Sequence, residues 1–247
     1  MSYGKVLCII QARMGSERLP GKVMKELGSK PIIEHVLSRV SGSNTVDHVV
    51  LATSDKPSEK IMVDYLMEAG WSVFCGDENN VLKRYVDCEA EYKGDIIIRV
   101  TGDCPFIDAD IIDHVVTYFQ INDFDYVRLD VPDTFIRGFD VEVFTREAMH
   151  RVYDITKSIN GESPYKEHVT LYMYRHPEEF RIGYVKGSDL YCKDYRLCVD
   201  TKEDYELVKN IYEHFCDEWV SAKDIVEYLD ANPDIALINR DIVQKQS

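Results

Sequence analysis

The feature that most restricts the fold of this chain is an apolar run that leads into a glycine-containing, cationic loop. Residues 6–10 are all apolar, which predicts a buried β-strand, and residues 11–22 form the loop that follows. Gly15 and Gly21 allow backbone conformations that turn N–H groups toward one point. The loop supplies three cations, which are Arg13, Arg18 and Lys22. Together these features predict a polyphosphate-binding site rather than a surface loop with solvated cations.

Two familiar phosphate-binding motifs do not fit this loop. A P-loop has the spacing Gly-x-x-x-x-Gly-Lys followed by Ser or Thr. Here five residues separate Gly15 from Gly21, and the residue after Lys22 is Val23, which has no hydroxyl for magnesium. A dinucleotide fingerprint, Gly-x-Gly-x-x-Gly, needs closer glycines than this chain has, with Gly28 as the next one. A P-loop kinase and a dinucleotide-binding enzyme are therefore excluded.

The charge balance and the cysteines restrict the partners and the compartment. The net charge of -15 argues against nucleic acid or an anionic membrane as the main partner, because either would require a basic face. The seven cysteines form no Cys-x-x-Cys pair and lie mostly in apolar runs, which is typical of reduced packing residues. The first 30 residues lack a signal-peptide core, and no apolar stretch approaches a membrane span. These features predict a soluble cytoplasmic protein.

Strand-like and helix-like patterns alternate along the first half of the chain. The predicted strands are residues 6–10, 48–53, 72–75, 95–100 and 125–129, and the predicted helices are residues 31–40, 57–69, 80–92 and 109–121. Such alternation predicts an α/β fold with a mostly parallel sheet and helices on both faces. Two more helices are predicted at residues 202–215 and 222–230, which completes a single domain over residues 1–247.

The region from about residue 130 to residue 190 has a different pattern. Residues 139–144 alternate apolar and acidic side chains, which predicts a strand with one solvent-exposed face. A tyrosine-rich segment at 165–176 and a predicted strand at 180–186 follow. We expect this region to be an excursion from the sheet that closes the site, binds a second substrate and provides a dimer surface.

Two aspartates that follow strand-like runs are candidate metal ligands. Asp103 comes just after the predicted strand at 95–100, and Asp200 follows a strand-like run at 195–199. Because the carboxyl ends of parallel strands meet at one edge of a sheet, both acids can lie near the cationic loop. Magnesium prefers one or two carboxylates together with phosphate oxygens and water. The alternatives are a turn before Pro105 for Asp103 and a helix cap for Asp200.

Motifs along nearly the whole chain resemble, in order, those of cytidylyltransferases that activate acidic sugars for surface polysaccharides. The loop at 11–22 is similar to the signature loop of the 3-deoxy-manno-octulosonate and acylneuraminate cytidylyltransferases, and it is closest to the branch of spore-coat polysaccharide biosynthesis. The other matching segments are residues 52–55, 81–85, 99–105, 138–144, 167–170 and 199–201.

The resemblance implies a Rossmann-like nucleotide-diphospho-sugar transferase fold, CTP as the donor, Mg²⁺ as the cofactor and a homodimer. By position, Asp103 and Asp200 match the metal-binding aspartates, and Ala12 and Arg84 match the cytosine contacts. The predicted nucleotide-binding residues are Gln11, Ala12, Arg13, Gly15, Ser16, Arg18, Lys22, Arg84, Thr101 and Gly102. Thr101 replaces the Gln of relatives that use octulosonate, so the base and the acceptor stay open.

Polar residues of the irregular region are candidates for acceptor binding. They are Arg137, Asp140, Glu142, Glu167 and His168. The acids can accept hydrogen bonds from sugar hydroxyls, and Arg137 or His168 can contact a carboxylate or phosphate. The alternative is a solvated edge strand whose charges prevent aggregation.

The predicted reaction is magnesium-dependent transfer of CMP from CTP to a sugar acid or to a phosphorylated sugar or polyol, with release of pyrophosphate. Arg18, Lys22, Asp103 and Asp200 are the predicted catalytic residues. The two aspartates would hold the metal, and the two cations would stabilise the departing pyrophosphate. The alternatives are a catalytically silent nucleotide-binding subunit and a nucleotidyltransferase that uses another nucleotide.

Overall fold

The computed structural model describes residues 4–159 and 163–244, and its strands and helices alternate as predicted. The strands are β1 (Val6–Gln11), β2 (Glu26–Leu27), β3 (Lys30–Pro31), β4 (His48–Ser54), β5 (Ser72–Gly76), β6 (Ile96–Thr101), β7 (Tyr126–Leu129), β8 (Glu142–Thr145) and β9 (Ile182–Val185). The α-helices are α1 (Ile32–Ser41), α2 (Lys60–Glu68), α3 (Val81–Tyr92), α4 (Ala109–Gln120), α5 (Arg146–Thr156), α6 (Pro164–Glu167), α7 (Leu171–Arg175), α8 (Lys202–Phe215), α9 (Ala222–Ala231) and α10 (Pro233–Ala236). Short 3-10 turns lie at Lys22–Met24 and Pro57–Glu59.

Seven of these strands form one sheet in the order β5-β4-β1-β6-β8-β7-β9. Strand β8 runs antiparallel to its neighbours β6 and β7, whereas the other neighbouring pairs are parallel. The prediction of a mostly parallel α/β sheet is therefore confirmed. The central strands β1 and β6 end side by side, since Gln11 pairs with Thr101. The loops that follow them consequently emerge at the same edge, where α/β sheets bind ligands.

The apolar run of β1 is explained by burial on both faces of the sheet. Val6, Cys8 and Ile10 belong to one hydrophobic cluster, while Leu7 and Ile9 belong to a second cluster on the opposite face. Successive side chains of a strand point to opposite faces, so a strand covered by helices on both sides has no position for a polar residue. This packing fixes the start of the cationic loop at a rigid strand.

Within the region 130–190, β8 and β9 are strands of the sheet, so the expected excursion does not hold for these two segments. Closure of the site and binding of a second substrate by this region stay predictions. The predicted solvent-exposed face of the 139–144 strand is also wrong. Strand β8 lies between β6 and β7, and Glu142 at its start is only 9% exposed. The alternation of apolar and acidic residues led to a wrong prediction, because Arg99 on the neighbouring strand β6 neutralises the charge of Glu142 and allows it to be buried. Formation of a homodimer through this region stays a prediction.

The strand-like run at 195–199 forms no ladder within the described part of the chain. A single bridge pairs Arg137 with Arg196, and the N–H of Leu197 donates to the carbonyl of Arg137 at 2.8 Å. The N–H of Val199 donates to the carbonyl of Asp103, also at 2.8 Å. The predicted strand is therefore wrong, but the extended segment still leads to the edge where β6 ends.

All seven cysteines are free, and their burial divides them into two groups. The buried ones are Cys8, Cys88, Cys104 and Cys198, and the exposed ones are Cys75, Cys192 and Cys216. The four buried cysteines are packing residues, as predicted. The three exposed cysteines are not, so the prediction is wrong for them. No helix among the described residues combines the length and the apolar character needed to cross a bilayer.

Candidate active site

A cleft of about 410 Å³ opens at the edge where β1 and β6 end. All of the predicted nucleotide-binding residues line it. Gln11 and Thr101 are the last residues of β1 and β6, and Arg84 reaches the cleft from α3. Residues far apart in sequence are thus brought together by the parallel arrangement of the central strands.

Local hydrogen bonds give the cationic loop a defined shape. Gly21 has φ of +67°, a left-handed conformation that favours glycine, and its N–H donates to the carbonyl of Met14 at 3.1 Å. The N–H of Met14 in turn donates to the carboxylate of Glu59 at 2.8 Å. Glu59 is 3% exposed and also accepts from the hydroxyl of Thr53. Sequence reasoning missed Glu59, because an acid in the turn after Pro57 resembles an ordinary helix-start residue.

The centre of the cleft is an ion-paired cluster of one lysine and two aspartates. The Nζ atom of Lys22 lies 2.6 Å from Asp103 Oδ2 and 2.7 Å from Asp200 Oδ1. Burial opposes the charge of Lys22, but the two carboxylates outweigh it and raise the lysine pKa. Burial acts to raise the pKa of Asp103. The ion pair and hydrogen bond with Lys22 act to lower it, and the pKa of Asp103 is below its usual value as a result. Lys22 and Asp103 are therefore charged at neutral pH.

The two arginines of the loop are held less tightly. Arg18 Nη2 lies 2.9 Å from Asp200 Oδ2, and the arginine side chain is 35% exposed. Arg13 is 3.9 Å from Glu167, and both of these side chains are more than half exposed. An exposed pair such as Arg13–Glu167 contributes little stability. The Arg13 guanidinium can therefore turn toward a phosphate with little loss of stability.

Arg84 lines the cleft from α3 and carries an unsatisfied donor. The residue is 3% exposed, and its Nη1 donates to the carbonyl of Asp77 at 3.2 Å. Its Nε is buried and has no hydrogen-bond partner among the residues that the structure describes. Burial lowers the pKa of Arg84, which marks a poorly solvated cation. Leaving such a donor unpaired typically costs about 1–3 kcal/mol, a cost that a ligand oxygen can remove.

A second cavity of about 510 Å³ adjoins the first and contains the five predicted acceptor-binding residues. The two cavities share seven lining residues, which are Arg13, Arg18, Thr101, Asp103, Glu167, His168 and Asp200. The paired aspartates therefore lie at the junction between the two cavities. This arrangement allows two small molecules to meet at the aspartates.

Glu142 forms part of the second cavity, but its carboxylate is already engaged. Oε1 accepts from the hydroxyls of Tyr126 and Thr170, and Oε2 accepts from Arg99. Burial acts to raise the pKa of Glu142, while Arg99 and Arg128 lower it, and the net effect is a lowered pKa. Arg99 was missed as a site residue, although an arginine inside the apolar run at 96–100 was a usable signal.

Arg99 also links the two cavities. Its Nε donates to Gln11 Oε1 at 3.1 Å, while its Nη1 is ion-paired with Glu142. Gln11 lines the first cavity and Glu142 lines the second. A single guanidinium thus fixes one residue of each cavity relative to the other.

Arg128 and Arg137, which also line the second cavity, have weak contacts with carboxylates. Arg128 donates to the carbonyls of Leu129 and Val131 at 3.2 Å each and lies over the ring of Tyr174. Arg137 lies 3.9 Å from the carboxylate of Asp140. These guanidinium groups are placed to contact an acidic group of a ligand.

Asp140 and His168 have shifted pKa values in the same cavity. Burial raises the pKa of Asp140, although the N–H of Gly138 donates to its carboxylate at 2.7 Å. Burial also lowers the pKa of His168, so the imidazole is neutral at pH 7. His168 is therefore a neutral hydrogen-bonding group, and the expected contact with an anion falls to the arginines.

The donor set of Asp103 and Asp200, which encloses the Lys22 ammonium in the ligand-free protein, fits a magnesium ion that arrives with a nucleotide. Within residues 4–159 and 163–244, no three His, Cys, Asp or Glu side chains group as a complete metal site. The two carboxylates do converge on one cation, because the Lys22 ammonium lies between them. Magnesium is commonly bound by one or two carboxylates with phosphate oxygens and water. The aspartates thus fit a metal that arrives with a triphosphate.

The fold and the paired cavities define a nucleotidyltransferase of the α/β class, and comparison with known proteins supports this class. A family model described as cytidylyltransferase matches residues 7–235. The chain therefore belongs to the cytidylyltransferase family.

Two relatives illustrate this membership, and a third protein shares the fold. The chain is 38% identical to the spore coat polysaccharide biosynthesis protein SpsF of Bacillus subtilis, over 94% of this chain and 96% of the relative. It is similar to the structure of a cytidylyltransferase from Leptospira borgpetersenii, with a TM-score of 0.87, 33% identity, and coverage of 98% and 99% of the two chains. A CMP:2-keto-3-deoxy-manno-octonic acid synthetase complexed with CTP shares the fold alone, with a TM-score of 0.60, 18% identity, and coverage of 85% and 99%.

Proposed function

We propose that this protein transfers CMP from CTP to a small anionic acceptor, with magnesium as the cofactor and pyrophosphate as the second product. The observation that carries the proposal is the position of Asp103 and Asp200, which lie with Lys22 at the junction of two cavities. One cavity has the cations that a triphosphate requires, and the other has arginines for an acidic acceptor. The relative solved with CTP shares this fold, which supports CTP as the donor.

The first cavity would hold the nucleotide with its phosphates at the cationic loop. Arg13, Arg18 and Lys22 would neutralise the triphosphate, and the loop N–H groups near Gly15 would add hydrogen bonds. The cytosine would lie against Ala12, with an oxygen of the base accepting from the unpaired Nε of Arg84. This pairing would satisfy the buried donor, and it gives the base a specific partner.

Asp103 and Asp200 would hold the magnesium that accompanies the triphosphate. A bound magnesium ion supplies charge neutralisation at the reacting phosphate. The Lys22 ammonium now lies between the two carboxylates, so the same residues already bind a cation. Phosphate oxygens would offer Lys22 an alternative partner a short distance away, where it would stabilise the departing pyrophosphate.

The second cavity would hold the acceptor, with its acidic group at Arg128 or Arg137. Asp140 and Glu167 would accept hydrogen bonds from its hydroxyls. Because the cavities meet at the aspartates, an acceptor oxygen can face the α-phosphorus, and catalysis would depend mainly on alignment and charge neutralisation. A sugar acid that attacks through a hydroxyl would give a CMP-sugar, and a phosphorylated acceptor would give a CDP-linked product. The name of the Bacillus subtilis relative supports a role in surface polysaccharide biosynthesis.

A pyrophosphate-release screen tests this function. The four ribonucleoside triphosphates are combined with sugar acids and phosphorylated sugars or polyols, with magnesium or with EDTA. We expect release with CTP, one class of acceptor and magnesium. Release with another nucleotide, or undiminished release in EDTA, would contradict the proposal, and CTP binding without release under any condition would favour a silent subunit.

A matched pair of variants links the activity to the cleft. Lys22→Ala should abolish most of the release, because it removes a cation that would neutralise the triphosphate and stabilise the departing pyrophosphate. Lys60→Ala is the control, since Lys60 pairs with Asp64 on the exposed face of α2 and lies outside both cavities. Equal activity of the two variants would contradict the assignment of the site.

A further inference from the structure

The two aspartates at the junction are positioned in different ways. Asp103 comes two residues after β6, a strand paired on both sides. Asp200 follows the extended segment at 195–199, which forms one isolated β-bridge within the described part of the chain and a further backbone hydrogen bond from Val199 to Asp103, but no ladder. The Asp200 carboxylate is in addition held by side-chain contacts. Three cations contact it, which are Arg18, Lys22 and Arg196.

Two of these cations are also the ones that a triphosphate would attract. Arg18 and Lys22 belong to the cationic loop, so nucleotide phosphates would compete with Asp200 for both. The third cation, Arg196, lines neither cavity, and its side chain is only 10% exposed. Arg196 is thus the cation that can stay with Asp200 when a nucleotide binds.

All three nitrogens of the Arg196 guanidinium have protein partners. Nη2 donates to Asp200 Oδ2, Nε donates to Asp204 Oδ1 at 3.1 Å, and Nη1 donates to Gln244 Oε1. The guanidinium is planar and rigid, so three fixed partners define its position and its orientation. The ammonium of a lysine is compact and could not occupy these three directions at once.

Asp204 accepts hydrogen bonds both from the guanidinium of Arg196 and from the backbone N–H of Asp200. It is fully buried, and its Oδ2 accepts from the N–H groups of Asp200 and Thr201 at 2.9 Å each. Its Oδ1 accepts from Arg196 and from Asn239 Nδ2, the latter at 2.7 Å. The backbone and the side chain of Asp200 are therefore tied to the same buried carboxylate at the start of α8.

The C-terminal part of the chain completes this support. Asn239 is 3% exposed, and its Nδ2 also donates to the carbonyl of Arg196 at 2.9 Å. Gln244 contacts the guanidinium of Arg196 and lines the second cavity. Residues about 40 positions away in sequence thus hold Arg196 at its backbone and at its side chain.

We propose that Arg196 is a positioning residue that keeps the Asp200 carboxylate at the magnesium position, with Asn239 as its support. The proposal rests on the proposed function, because it requires that a nucleotide and magnesium bind at Asp103 and Asp200. Groups that orient a metal ligand typically change metal affinity about ten- to a hundredfold when they are replaced. Arg196 touches neither cavity, so its replacement acts through Asp200.

The test measures how CTP binding depends on magnesium, by calorimetry without acceptor. Arg196→Gln should raise the magnesium concentration for half-maximal CTP binding about ten- to a hundredfold. CTP affinity at saturating magnesium should stay close to that of the wild type. Arg196→Lys keeps the positive charge but loses the planar guanidinium. Asn239→Ala removes only the hydrogen bonds from Asn239 to Arg196 and Asp204. Both variants should therefore give smaller shifts in the same direction.

Arg39 supplies the matched control for a merely structural effect. Arg39 is 4% exposed and donates to the carbonyls of Ile107, Glu218 and Val220, away from both cavities. We expect both Arg39→Gln and Arg196→Gln to lower the thermal unfolding midpoint, whereas Arg39→Gln should leave the magnesium requirement unchanged.

The possible results separate the two proposals. If the wild type binds no CTP at any magnesium concentration, the proposed function fails and the positioning role fails with it. If the wild type binds but Arg196→Gln keeps the wild-type magnesium requirement, or if Arg39→Gln shifts it equally, only the positioning role is overturned. Should Arg196→Gln fail to fold, unchanged magnesium requirements of Arg196→Lys and Asn239→Ala would overturn it.

Discussion

Replacing Lys22 by methionine tests the ion-paired cluster most directly. The side chain of Lys22 is 12% exposed and contacts Asp103 and Asp200 at 2.6 and 2.7 Å. Methionine keeps the apolar stem but leaves two carboxylates facing each other without the cation between them. We therefore expect Lys22→Met to lower the free energy of unfolding of the ligand-free protein and to create a binding site for magnesium alone.

The magnitude follows from the burial of the cluster. Removing one partner of a buried ion pair typically costs about 3–5 kcal/mol. Here the side chains of Asp103 and Asp200 are 20% and 17% exposed, and Arg18 and Arg196 still contact Asp200. Water and these arginines reduce the loss, so we expect about 2–3 kcal/mol. Magnesium at ten times its dissociation constant would restore about 1.4 kcal/mol.

The pH dependence of this loss has a defined sign. The pKa of Asp103 is lowered in the folded protein, so its stabilisation is present above the unfolded pKa of about 3.9 and is lost as the pH falls through the folded value. The pKa of Lys22 is raised, so its contribution is present below the unfolded pKa of about 10.4 and is lost only as the pH rises through the folded value. The loss caused by Lys22→Met should therefore be largest near neutral pH and should shrink at acidic and at strongly alkaline pH.

Urea denaturation with and without magnesium measures these effects. Lys60→Met is the control, because the side chains of Lys60 and Asp64 are 74% and 58% exposed and such pairs contribute under about 1 kcal/mol. The reasoning is refuted if Lys22→Met unfolds at the wild-type urea concentration. It is also refuted if magnesium stabilises Lys22→Met no more than it stabilises Lys60→Met.

Three further predictions concern the two cavities. Asp103→Asn and Asp200→Asn should each reduce pyrophosphate release at least about a hundredfold, or roughly 3 kcal/mol, and the double variant should be only slightly worse. Full activity of either single variant at the wild-type magnesium demand would refute a shared metal; the alternative role of Asp200 as a helix cap is already wrong, because Thr201 caps α8. Asp140→Ala should raise the KM for the acceptor and leave the CTP affinity, measured by calorimetry, nearly unchanged. A lower CTP affinity with an unchanged acceptor KM would show that the second cavity does not bind the acceptor. Glu142→Gln should lower the unfolding free energy by about 3 kcal/mol near pH 7, because it leaves the charge of Arg99 buried and unpaired. Since the pKa of Glu142 is lowered in the folded protein, this difference should shrink as the pH falls below about 4, and a constant difference in acid denaturation would contradict the assignment.

The sequence by itself determined the central sheet and the cationic loop. The apolar run at 6–10 predicted a buried strand, and the glycines at 15 and 21 predicted a turning loop. Asp103 was predictable in a similar way, because it comes shortly after another apolar run. These features are local, since burial and backbone conformation are encoded by residue type and spacing within a few positions.

Only the tertiary structure decided which charged groups pair and which remain available to a ligand. Glu142 was predicted on an exposed face, yet strand register places it beside Arg99. Asp200 was predicted at the end of a strand, yet it is held by Arg196 and Asp204. Arg99 inside the apolar run at 96–100 was a signal of a buried charge, but the partners of Glu59, Arg99 and Arg196 could not be assigned beforehand, because a charged residue carries no local signal of its partner. The partner is set by strand order and by packing between distant segments, and a buried charge is stable only where that packing brings it a counter-charge.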